Sequence, residues 1–374
     1  MKVVIAVDEN ILFGKDAFGS LGEVRFFPGR RITRKELSDV QILLVRSVTK
    51  VNAALLSGTS IKFTGTATAG LEHVDQEFLK VNNIQFAHAK GSNAKSVADY
   101  VTAGVLSYYQ AQKKNISGST AAVIGCGFVG TQVLKSFQAL GLRTIAVDPP
   151  LREQTGNAQY KNIGEAVDAD IISAHVSLER TGQYPTLSLF NKEIFSRFTR
   201  KPLFINASRG ETVVEPDLLS ALNSGYISDC ILDVWNNEPH VNHDLLNRAW
   251  IATPHIAGYS FSGKVKGTEM IYKEVCRFLH TAPKWNAEDT YQKQTISADN
   301  QDAVNAVVRT AYNIQDDSQR MKALICLPPD KAAERFDELR KNYPRRLDFT
   351  DINVSNAPPS VSGILANLGF RIHG

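Results

Sequence analysis

A glycine-rich turn between an apolar strand and an amphipathic helix constrains the fold of this chain more than any other feature. The turn reads VIGCGFVG at residues 123–130, and the next apolar run ends in Asp148, 18 positions after the last glycine. In such a turn the first glycine permits a tight bend, the second lets the backbone approach a pyrophosphate, and the third lets helix and strand pack closely. The helix amino terminus adds N–H donors and a partial positive charge. The sequence therefore predicts a dinucleotide-binding unit here.

The acidic residue after the turn predicts which dinucleotide is bound. Asp148 is expected to accept hydrogen bonds from the ribose hydroxyls and to repel a 2′-phosphate, which favours NAD over NADP. The residues expected to line the cofactor in this unit are Gly125, Gly127, Phe128, Val129, Gly130 and Asp148.

Length and composition exclude several classes of protein. A chain of 374 residues is too long for one ordinary domain, and its 43% hydrophobic and 21% charged residues are typical of a soluble globular protein. The net charge of +4 is mild and the basic clusters lack interleaved aromatic residues, so we expect no nucleic-acid partner. No apolar run approaches the roughly 20 residues of a membrane helix, so we expect no membrane partner. Four dispersed cysteines without a CxxC pair predict reduced thiols, no bound metal and a cytoplasmic location.

Alternating apolar strands and helical patterns predict a parallel sheet with flanking helices in the first hundred residues. Strands are expected at residues 3–7, 42–45, 61–64 and 84–87, followed by one long helix at 93–112. The alternation then continues, and it predicts a six-stranded doubly wound sheet between residues 100 and 258.

A helical pattern after Gly258 is expected to cross back to the first domain, which makes that domain discontinuous. The predicted fold class is α/β. A Rossmann-type NAD-binding domain at 99–258 is inserted in a flavodoxin-like substrate-binding domain formed by 1–98 and 259–285, and a small C-terminal α/β module follows at 286–374.

The C-terminal module is expected to follow a polar linker at 281–301 and to contain strands at 323–327 and 370–373. It has no catalytic-looking cluster, and small modules with apolar faces commonly mediate self-association. We therefore expect the module to join two chains in a homodimer.

Polar residues follow the ends of three later strands, where doubly wound sheets bind their ligands. Arg209 suits a substrate carboxylate, because a guanidinium is a planar bidentate donor, although its position is also compatible with a surface arginine on a loop. Glu238 could be a solvated loop carboxylate and His255 a structural histidine. If the two meet at the same rim, the carboxylate favours the protonated imidazole and the pair forms a general acid–base.

Four motifs in this order resemble the D-2-hydroxyacid dehydrogenase family over the first 280 residues or so. They are the glycine turn with Asp148, NASRG at 206–210, DVWNNEP at 233–239 and TPHIAG at 253–258. The resemblance implies that Arg209 orients the substrate carboxylate, that His255 takes the C2 hydroxyl proton, and that Glu238 orients His255. It also implies further contacts to the cofactor, from Ala207, Ser208, Arg209, Gly258 and, at the nicotinamide carboxamide, Asp233. One departure is Val176, which can offer the cofactor only backbone and apolar contact.

Additional segments resemble one branch of this family, which oxidises a phosphorylated hydroxy acid. They are VDEN at 7–10, RSVTK at 46–50, GTATAG at 65–70, HIAGY at 255–259 and LRKNY at 339–343. The branch implies that Ser47, Thr68 and Tyr259 contact the substrate, and Arg46 and Lys50 are chemically suited to its phosphate.

The activity implied by this branch is the NAD-dependent oxidation of the C2 hydroxyl of 4-phospho-D-erythronate, a step of pyridoxal 5′-phosphate (vitamin B6) biosynthesis. Another 2-hydroxy acid, such as 3-phosphoglycerate, would use the same fold and chemistry. A binding protein that senses NAD without turnover is a further alternative, against which the intact set of Arg209, Glu238 and His255 argues.

Overall fold

The computed structural model describes residues 2–299 and 303–373 and forms two compact units. The first unit comprises Met1–Asn93 and Phe261–Gln292, and the second comprises Ala94–Ser260 and Lys293–Gly374. The chain therefore leaves the first unit after Asn93, returns to it at Phe261 and leaves it again after Gln292. The C-terminal residues cluster with the central segment.

The first unit contains a five-stranded parallel sheet. Its elements before residue 94 are β1 (Val4–Asp8), α1 (Gly14–Phe18), β2 (Glu23–Phe27), β3 (Ile42–Val45), α2 (Ala53–Leu56), β4 (Phe63–Thr66), α3 (Gln76–Val81) and β5 (Gln85–His88). The strand order β2-β1-β3-β4-β5 is that of flavodoxin-like folds. Strand β2 was not predicted, because it lies at the sheet edge and its exposed Glu23 and Arg25 interrupt any apolar run.

The second unit contains a seven-stranded parallel sheet. Its central elements are α4 (Ala94–Ala111), β6 (Thr120–Ile124), α5 (Phe128–Ala139), β7 (Arg143–Val147), α6 (Pro149–Thr155), β8 (Tyr160–Lys161), β9 (Ile171–Ala174), α7 (Lys192–Ser196), β10 (Leu203–Asn206), α8 (Glu215–Ser224), β11 (Asp229–Leu232), α9 (His243–Arg248) and β12 (Ile251–Ala252). The order is β12-β11-β10-β9-β6-β7-β8. The predicted number of six strands is wrong, because β8 pairs through only two residues and is too short to leave a sequence pattern.

Helix α10 (Phe261–Phe278) belongs to the first unit and packs on its sheet through two glycines. A Cβ at Gly65 would lie 2.8 Å from the side chain of Ile271, and a Cβ at Gly267 would lie 2.7 Å from the carbonyl oxygen of Ala67. Only glycine at these positions permits so close an approach of helix and strand. The predicted discontinuous α/β domain is confirmed.

The C-terminal module carries a three-stranded parallel sheet of order β13-β14-β15. Its elements are β13 (Gln294–Ser297), α11 (Val304–Ala311), α12 (Ile314–Lys322), α13 (Pro329–Lys341), β14 (Ile352–Ser355), α14 (Pro359–Asn367) and β15 (Arg371–His373). The predicted linker is wrong over Ala287–Asp289, a 3-10 helix, and over β13. Its residues 300 and 301 lie outside the described part of the chain.

The strand predicted at 323–327 is wrong, since Ala323–Cys326 forms a 3-10 helix. Leu324 is fully buried, together with Met321 and Phe336, in the core that also contains Leu245 and Leu246 of the nucleotide-binding segment. A short apolar run is therefore used for packing between helices and not for pairing in a sheet. This shared core makes the C-terminal module an integral part of the second unit.

No helix in residues 2–299 and 303–373 combines the length and the apolar composition that crossing a membrane requires.

Candidate active site

The glycine turn has a conformation that suits a dinucleotide. Gly125 has φ +88°, and a Cβ there would lie 2.7 Å from the carbonyl oxygen of His175. A Cβ at Gly130 would lie 1.8 Å from the carbonyl oxygen of Gly125, so helix α5 is in contact with the turn. At Gly127 a Cβ would meet no atom within 4 Å, and helix α5 begins there without a side-chain cap. The turn is therefore open where a pyrophosphate would approach the helix amino terminus.

Asp148 joins the glycine turn to the next helix. Its Oδ2 accepts a hydrogen bond from the backbone N–H of Cys126 at 2.8 Å, and its Oδ1 accepts one from the N–H of Leu151 at 2.9 Å. This double structural role was not predicted. A carboxylate offers about four lone-pair sites, so Asp148 keeps acceptor capacity for ribose hydroxyls.

The loop after β9 contains the predicted cofactor contact at Val176. Its neighbour His175 pairs through Nε2 with Ser173 Oγ at 2.8 Å, and desolvation lowers the pKa of His175 to about 3. The imidazole is therefore neutral near pH 7. Val176 is half-buried and has only backbone and apolar groups to offer.

The side chain of Asn206 shapes the loop that carries Arg209. Its Oδ1 accepts hydrogen bonds from the N–H of Ser208 at 3.1 Å and from Ser208 Oγ at 2.7 Å, and its Nδ2 donates to the carbonyl oxygen of Arg209 at 3.0 Å. Arg209 in turn donates from Nη1 to the carbonyl oxygen of Ser208 at 2.8 Å. Asn206 is 1% exposed, so this bracing lies in the interior. Ala207, another predicted cofactor contact, is partly exposed beside it.

The Arg209 loop packs directly on the loop that carries Glu238. A Cβ at Gly210 would lie 2.1 Å from the carbonyl oxygen of Trp235, so only glycine fits. Asn236 adds two hydrogen bonds across the contact, from its N–H to Glu215 Oε1 at 2.8 Å and from Nδ2 to the carbonyl oxygen of Val213 at 3.1 Å. The structure therefore brings two of the predicted catalytic segments into contact.

Glu238 and His255 form a hydrogen-bonded pair. His255 Nδ1 and Glu238 Oε2 are 2.8 Å apart, and Glu238 Oε1 accepts a hydrogen bond from the N–H of Trp235 at 3.0 Å. Burial alone would raise the pKa of Glu238, but the charge of His255 and the hydrogen bonds from His255 and Trp235 lower it below its usual value. Glu238 is therefore ionised at neutral pH. With Nδ1 engaged, Nε2 is the ring nitrogen that can exchange a proton with a ligand.

Asp233 holds the loop in which His255 lies. Its Oδ1 accepts hydrogen bonds from Thr253 Oγ1 at 2.6 Å and from the N–H of Ile256 at 2.7 Å, and its Oδ2 accepts one from the N–H of Ala257 at 2.8 Å. Asp233 is 1% exposed, and burial raises its pKa. His255 itself has φ +56°, an unusual conformation for a residue with a side chain, which this bonding maintains. The expected contact of Asp233 with the nicotinamide stays a prediction.

The C-terminal module braces the same loop from residues that sequence reasoning did not assign to the site. The guanidinium of Arg346 donates to the carbonyl oxygens of Ile256 and Ala257 and lies 4.5 Å from the centre of the Tyr312 ring. Arg340 Nη2 donates to the hydroxyl of Tyr259 at 2.9 Å. Arg340 lies in the LRKNY segment at 339–343, which carried a resemblance without an assigned role, whereas Arg346 lies outside every segment that carried a resemblance. Gly258 lies in the same loop and is partly exposed.

The predicted substrate residues of the first unit lie at the carboxyl ends of neighbouring strands. Arg46 follows β3 and donates from Nε to Asp8 Oδ1, at the end of β1, at 3.1 Å. Thr68 follows β4, and its Oγ1 lies 2.8 Å from Thr66 Oγ1. Ser47 is exposed. The ion pair with the fully buried Asp8 was not foreseen, and it already balances the charge of Arg46.

Lys50, the other cation considered for the phosphate, lies four residues after Arg46 in the segment that follows β3, and it is exposed.

Two domain families match this chain. Residues 86–257 match the NAD-binding domain of the D-isomer specific 2-hydroxyacid dehydrogenases, and residues 285–369 match a domain of unknown function. The first match confirms the predicted NAD cofactor.

Relatives match along the whole chain. An erythronate-4-phosphate dehydrogenase of Marinobacter nauticus is 38% identical and aligns over 99% of this chain and 100% of its own length. The chain belongs to the erythronate-4-phosphate dehydrogenase family. A second member, from Tolumonas auensis, is also 38% identical and aligns over 100% of both chains. Membership confirms the predicted dehydrogenase class.

Solved structures support the fold of this family member. A 3-phosphoglycerate dehydrogenase of Entamoeba histolytica with bound NAD superposes with a TM-score of 0.62 at 20% identity, over 75% of this chain and 96% of the other. A D-lactate dehydrogenase of Aquifex aeolicus in complex with NAD and lactic acid gives 0.59 at 22% identity, over 74% and 95%. These likenesses establish the α/β dehydrogenase fold.

Proposed function

We propose that this protein oxidises the C2 hydroxyl of 4-phospho-D-erythronate with NAD to give 3-hydroxy-2-oxo-4-phosphobutanoate, a step of pyridoxal 5′-phosphate synthesis. The observation that carries the proposal is the Glu238–His255 pair, 2.8 Å apart, on a loop adjoining that of Arg209. The relatives that align end to end carry the name of this activity.

The chemistry requires one proton and one hydride to leave the substrate. Bound NAD supplies the hydride acceptor. His255 Nε2 takes the proton of the C2 hydroxyl as the carbon–oxygen double bond forms, and Glu238 stabilises the resulting imidazolium through Nδ1. Arg209 holds the substrate carboxylate and polarises the C2 oxygen, which suits its planar donor geometry. In the reverse direction the same histidine returns the proton.

The roles of the remaining residues are part of the same proposal. The cofactor contacts are Gly125, Gly127, Phe128, Val129, Gly130, Asp148, Val176, Ala207, Ser208, Arg209, Asp233 and Gly258. The substrate contacts are Arg46, Ser47, Thr68 and Tyr259.

Steady-state kinetics with purified protein and NAD test the substrate. We expect kcat/KM for 4-phosphoerythronate to exceed that for 3-phosphoglycerate by at least about 100-fold, since a site built for one polar substrate discriminates strongly against another. Equal values for the two acids would contradict the proposed substrate, although not the dehydrogenase class.

We also propose that two chains associate through the C-terminal module. The five large hydrophobic side chains most exposed in the described residues are Phe26, Val81, Phe128, Leu187 and Tyr226, all outside the module. The apolar faces expected on the C-terminal module are therefore not a source of support for the dimer. The support is that β13 and β15 are edge strands, each with a neighbour on one side only in the described sheet, and open edges pair readily with another chain. Light scattering should give twice the mass of one chain, and a single-chain mass would contradict the dimer.

A cytoplasmic location is the last part of the proposal. All four cysteines are free thiols, and burial raises the pKa of Cys126 to about 12. Unpaired thiols suit a reducing compartment. Cell fractionation would test the location, and recovery of the protein from an oxidising compartment would contradict it.

A further inference from the structure

Arg340 is a cation that the C-terminal module contributes to the neighbourhood of the acid–base pair. It lies in the last turn of helix α13, 85 positions after His255. Its Nη2 donates to the hydroxyl of Tyr259 at 2.9 Å, and its guanidinium carbon lies 5.4 Å from the centre of that ring. Its charge also acts on Glu238, whose negative form it stabilises. The guanidinium is therefore within electrostatic reach of the residues proposed for proton transfer.

The charge of Arg340 has no carboxylate partner within 4.0 Å among residues 2–299 and 303–373. Two other basic residues of the same helix differ in this respect, since Arg335 pairs with Glu338 at 2.9 Å and Lys331 with Glu334 at 2.7 Å. Arg340 Nε is buried and has no hydrogen-bond acceptor in the described residues. A half-buried guanidinium without an anion bears a desolvation cost that a bound anion would offset.

Arg46 and Lys50 are the two other cations considered for the substrate phosphate. Arg46 is paired with Asp8, which is fully buried, so its charge is already balanced within the protein. Lys50 is exposed, so its charge is already hydrated and bears no desolvation cost. The proposed substrate has two anionic ends. Arg209 is proposed for the carboxylate, and the phosphate then requires a cation whose charge is available. Arg340, beside the proposed substrate contact Tyr259, meets this requirement.

We propose that Arg340 binds the phosphate of the substrate and sets the preference for phosphorylated hydroxy acids. This inference rests on the proposed function. It assigns the C-terminal module a direct part in substrate recognition, in addition to its support of the His255 loop. A guanidinium offers a phosphate two parallel N–H donors, a geometry that lysine lacks.

The test compares Arg340→Gln and Arg340→Lys with the matched control Arg335→Gln, on the same helix and solvent-exposed. We expect Arg340→Gln to raise KM for 4-phosphoerythronate about 10- to 100-fold with kcat within threefold, the range expected for losing a charge-assisted hydrogen bond to an anion. Arg340→Lys should recover part of the loss, and Arg335→Gln should match the wild type. Inorganic phosphate should compete with the substrate in the wild type and much more weakly in Arg340→Gln.

The split between KM and kcat decides the outcome. A fall in kcat with KM unchanged would assign Arg340 to positioning Tyr259 and would overturn the proposal, as would phosphate inhibition that is equal in wild type and Arg340→Gln. NAD binding by each variant shows that it is folded, and if Arg340→Gln does not fold, Arg340→Lys carries the same comparison. Wild-type protein that does not turn over 4-phosphoerythronate would contradict the proposed function. If the wild type does turn it over and Arg340→Gln has the same KM, only the proposed role of Arg340 is contradicted, and the proposed function stands.

Discussion

Glu238 Oε2 lies 2.8 Å from His255 Nδ1, although the two residues belong to loops that follow different strands. The contact orients the imidazole and leaves Nε2 for the substrate. It also places a negative charge next to the group that must accept a proton. Replacing the carboxylate by an amide of the same shape separates these two effects.

We predict that Glu238→Gln lowers kcat about 10- to 100-fold, because the imidazolium formed during oxidation loses its counter-charge. The pKa of Glu238 is lowered, so the carboxylate is present throughout the neutral range in the wild type. Steady-state kinetics at neutral pH measure the loss, and an unchanged kcat would show that the counter-charge does not contribute to catalysis.

His255→Ala should reduce kcat by at least about 1000-fold, in line with the loss of a general base. NAD binding, measured by calorimetry, should change less than threefold, because the backbone of the loop is held by Asp233 and Arg346. Turnover that persists in this variant would refute the assigned base.

Asp148→Asn should shift the cofactor preference without unfolding the turn. The amide oxygen can still cap helix α6 at Leu151, whereas the amide nitrogen cannot accept the bond from the N–H of Cys126, so the variant loses some thermal stability. The charge that repels a 2′-phosphate is gone, and we expect the ratio of kcat/KM for NAD to that for NADP to fall at least about tenfold, roughly the free energy of one charge-assisted hydrogen bond. Asp148→Ala serves as the comparison, since it loses both hydrogen bonds and should lose more thermal stability. An unchanged ratio would show that residues other than Asp148 discriminate between NAD and NADP.

Gly127→Ala and Gly130→Ala form a matched pair. A Cβ at Gly127 meets no atom within 4 Å, so the melting temperature should stay within about 2 °C while NAD binding weakens, because the methyl group occupies the path of the pyrophosphate. A Cβ at Gly130 would lie 1.8 Å from a carbonyl oxygen, so that variant should lose stability first. Equal melting temperatures for both variants would contradict the packing described for this turn.

Asp99 predicts a pH dependence of stability. It is 2% exposed on helix α4, where it pairs with Lys95 and accepts a hydrogen bond from the N–H of Phe349 at 2.9 Å. Burial raises the pKa of Asp99 to about 7, and Asp348 contributes in the same direction. Because the pKa of Asp99 is higher in the folded than in the unfolded state, protonation of its carboxyl group stabilises the fold. This contribution is present at low pH and is lost as the pH rises through 7.

The comparison is with Asp99→Asn, which cannot ionise. The melting temperature of wild type minus that of Asp99→Asn should decrease between pH 5 and pH 8, at about 2–4 °C per kcal/mol for a unit of this size. A difference that stays constant over this range would show that Asp99 is already ionised at pH 5.

Local patterns predicted the parts of this molecule whose geometry depends on neighbours in sequence. The glycine turn, Asp148 and the strand ends before Arg209 and His255 all belong to this group, since parallel strands place their carboxyl ends at one edge. The strand β8 was missed because two residues are too few to form a pattern, and the edge strand β2 was missed because Glu23 and Arg25 interrupt its apolar residues.

Contacts between distant segments could not be predicted in this way. The pairing of Arg46 with Asp8 spans 38 positions, and that of Arg346 with Ala257 spans 89. Each depends on how helices and strands pack, which periodicity does not encode. The 3-10 helix at Ala323–Cys326 is another example. Its short apolar run is compatible with a strand, and only the packing of Leu324 in the core with Phe336 shows that it is helical.

The bonds from Arg346 to the carbonyl oxygens of Ile256 and Ala257 have a consequence for how the protein is made. A ribosome completes the glycine turn and the His255 loop long before it reaches residue 346. Until then the loop lacks the guanidinium on which its backbone rests. A nascent or prematurely terminated chain therefore carries every residue proposed for proton transfer and the bonds between Asp233 and their loop, but not those from Arg346, so we expect its activity to fall below that of the full chain.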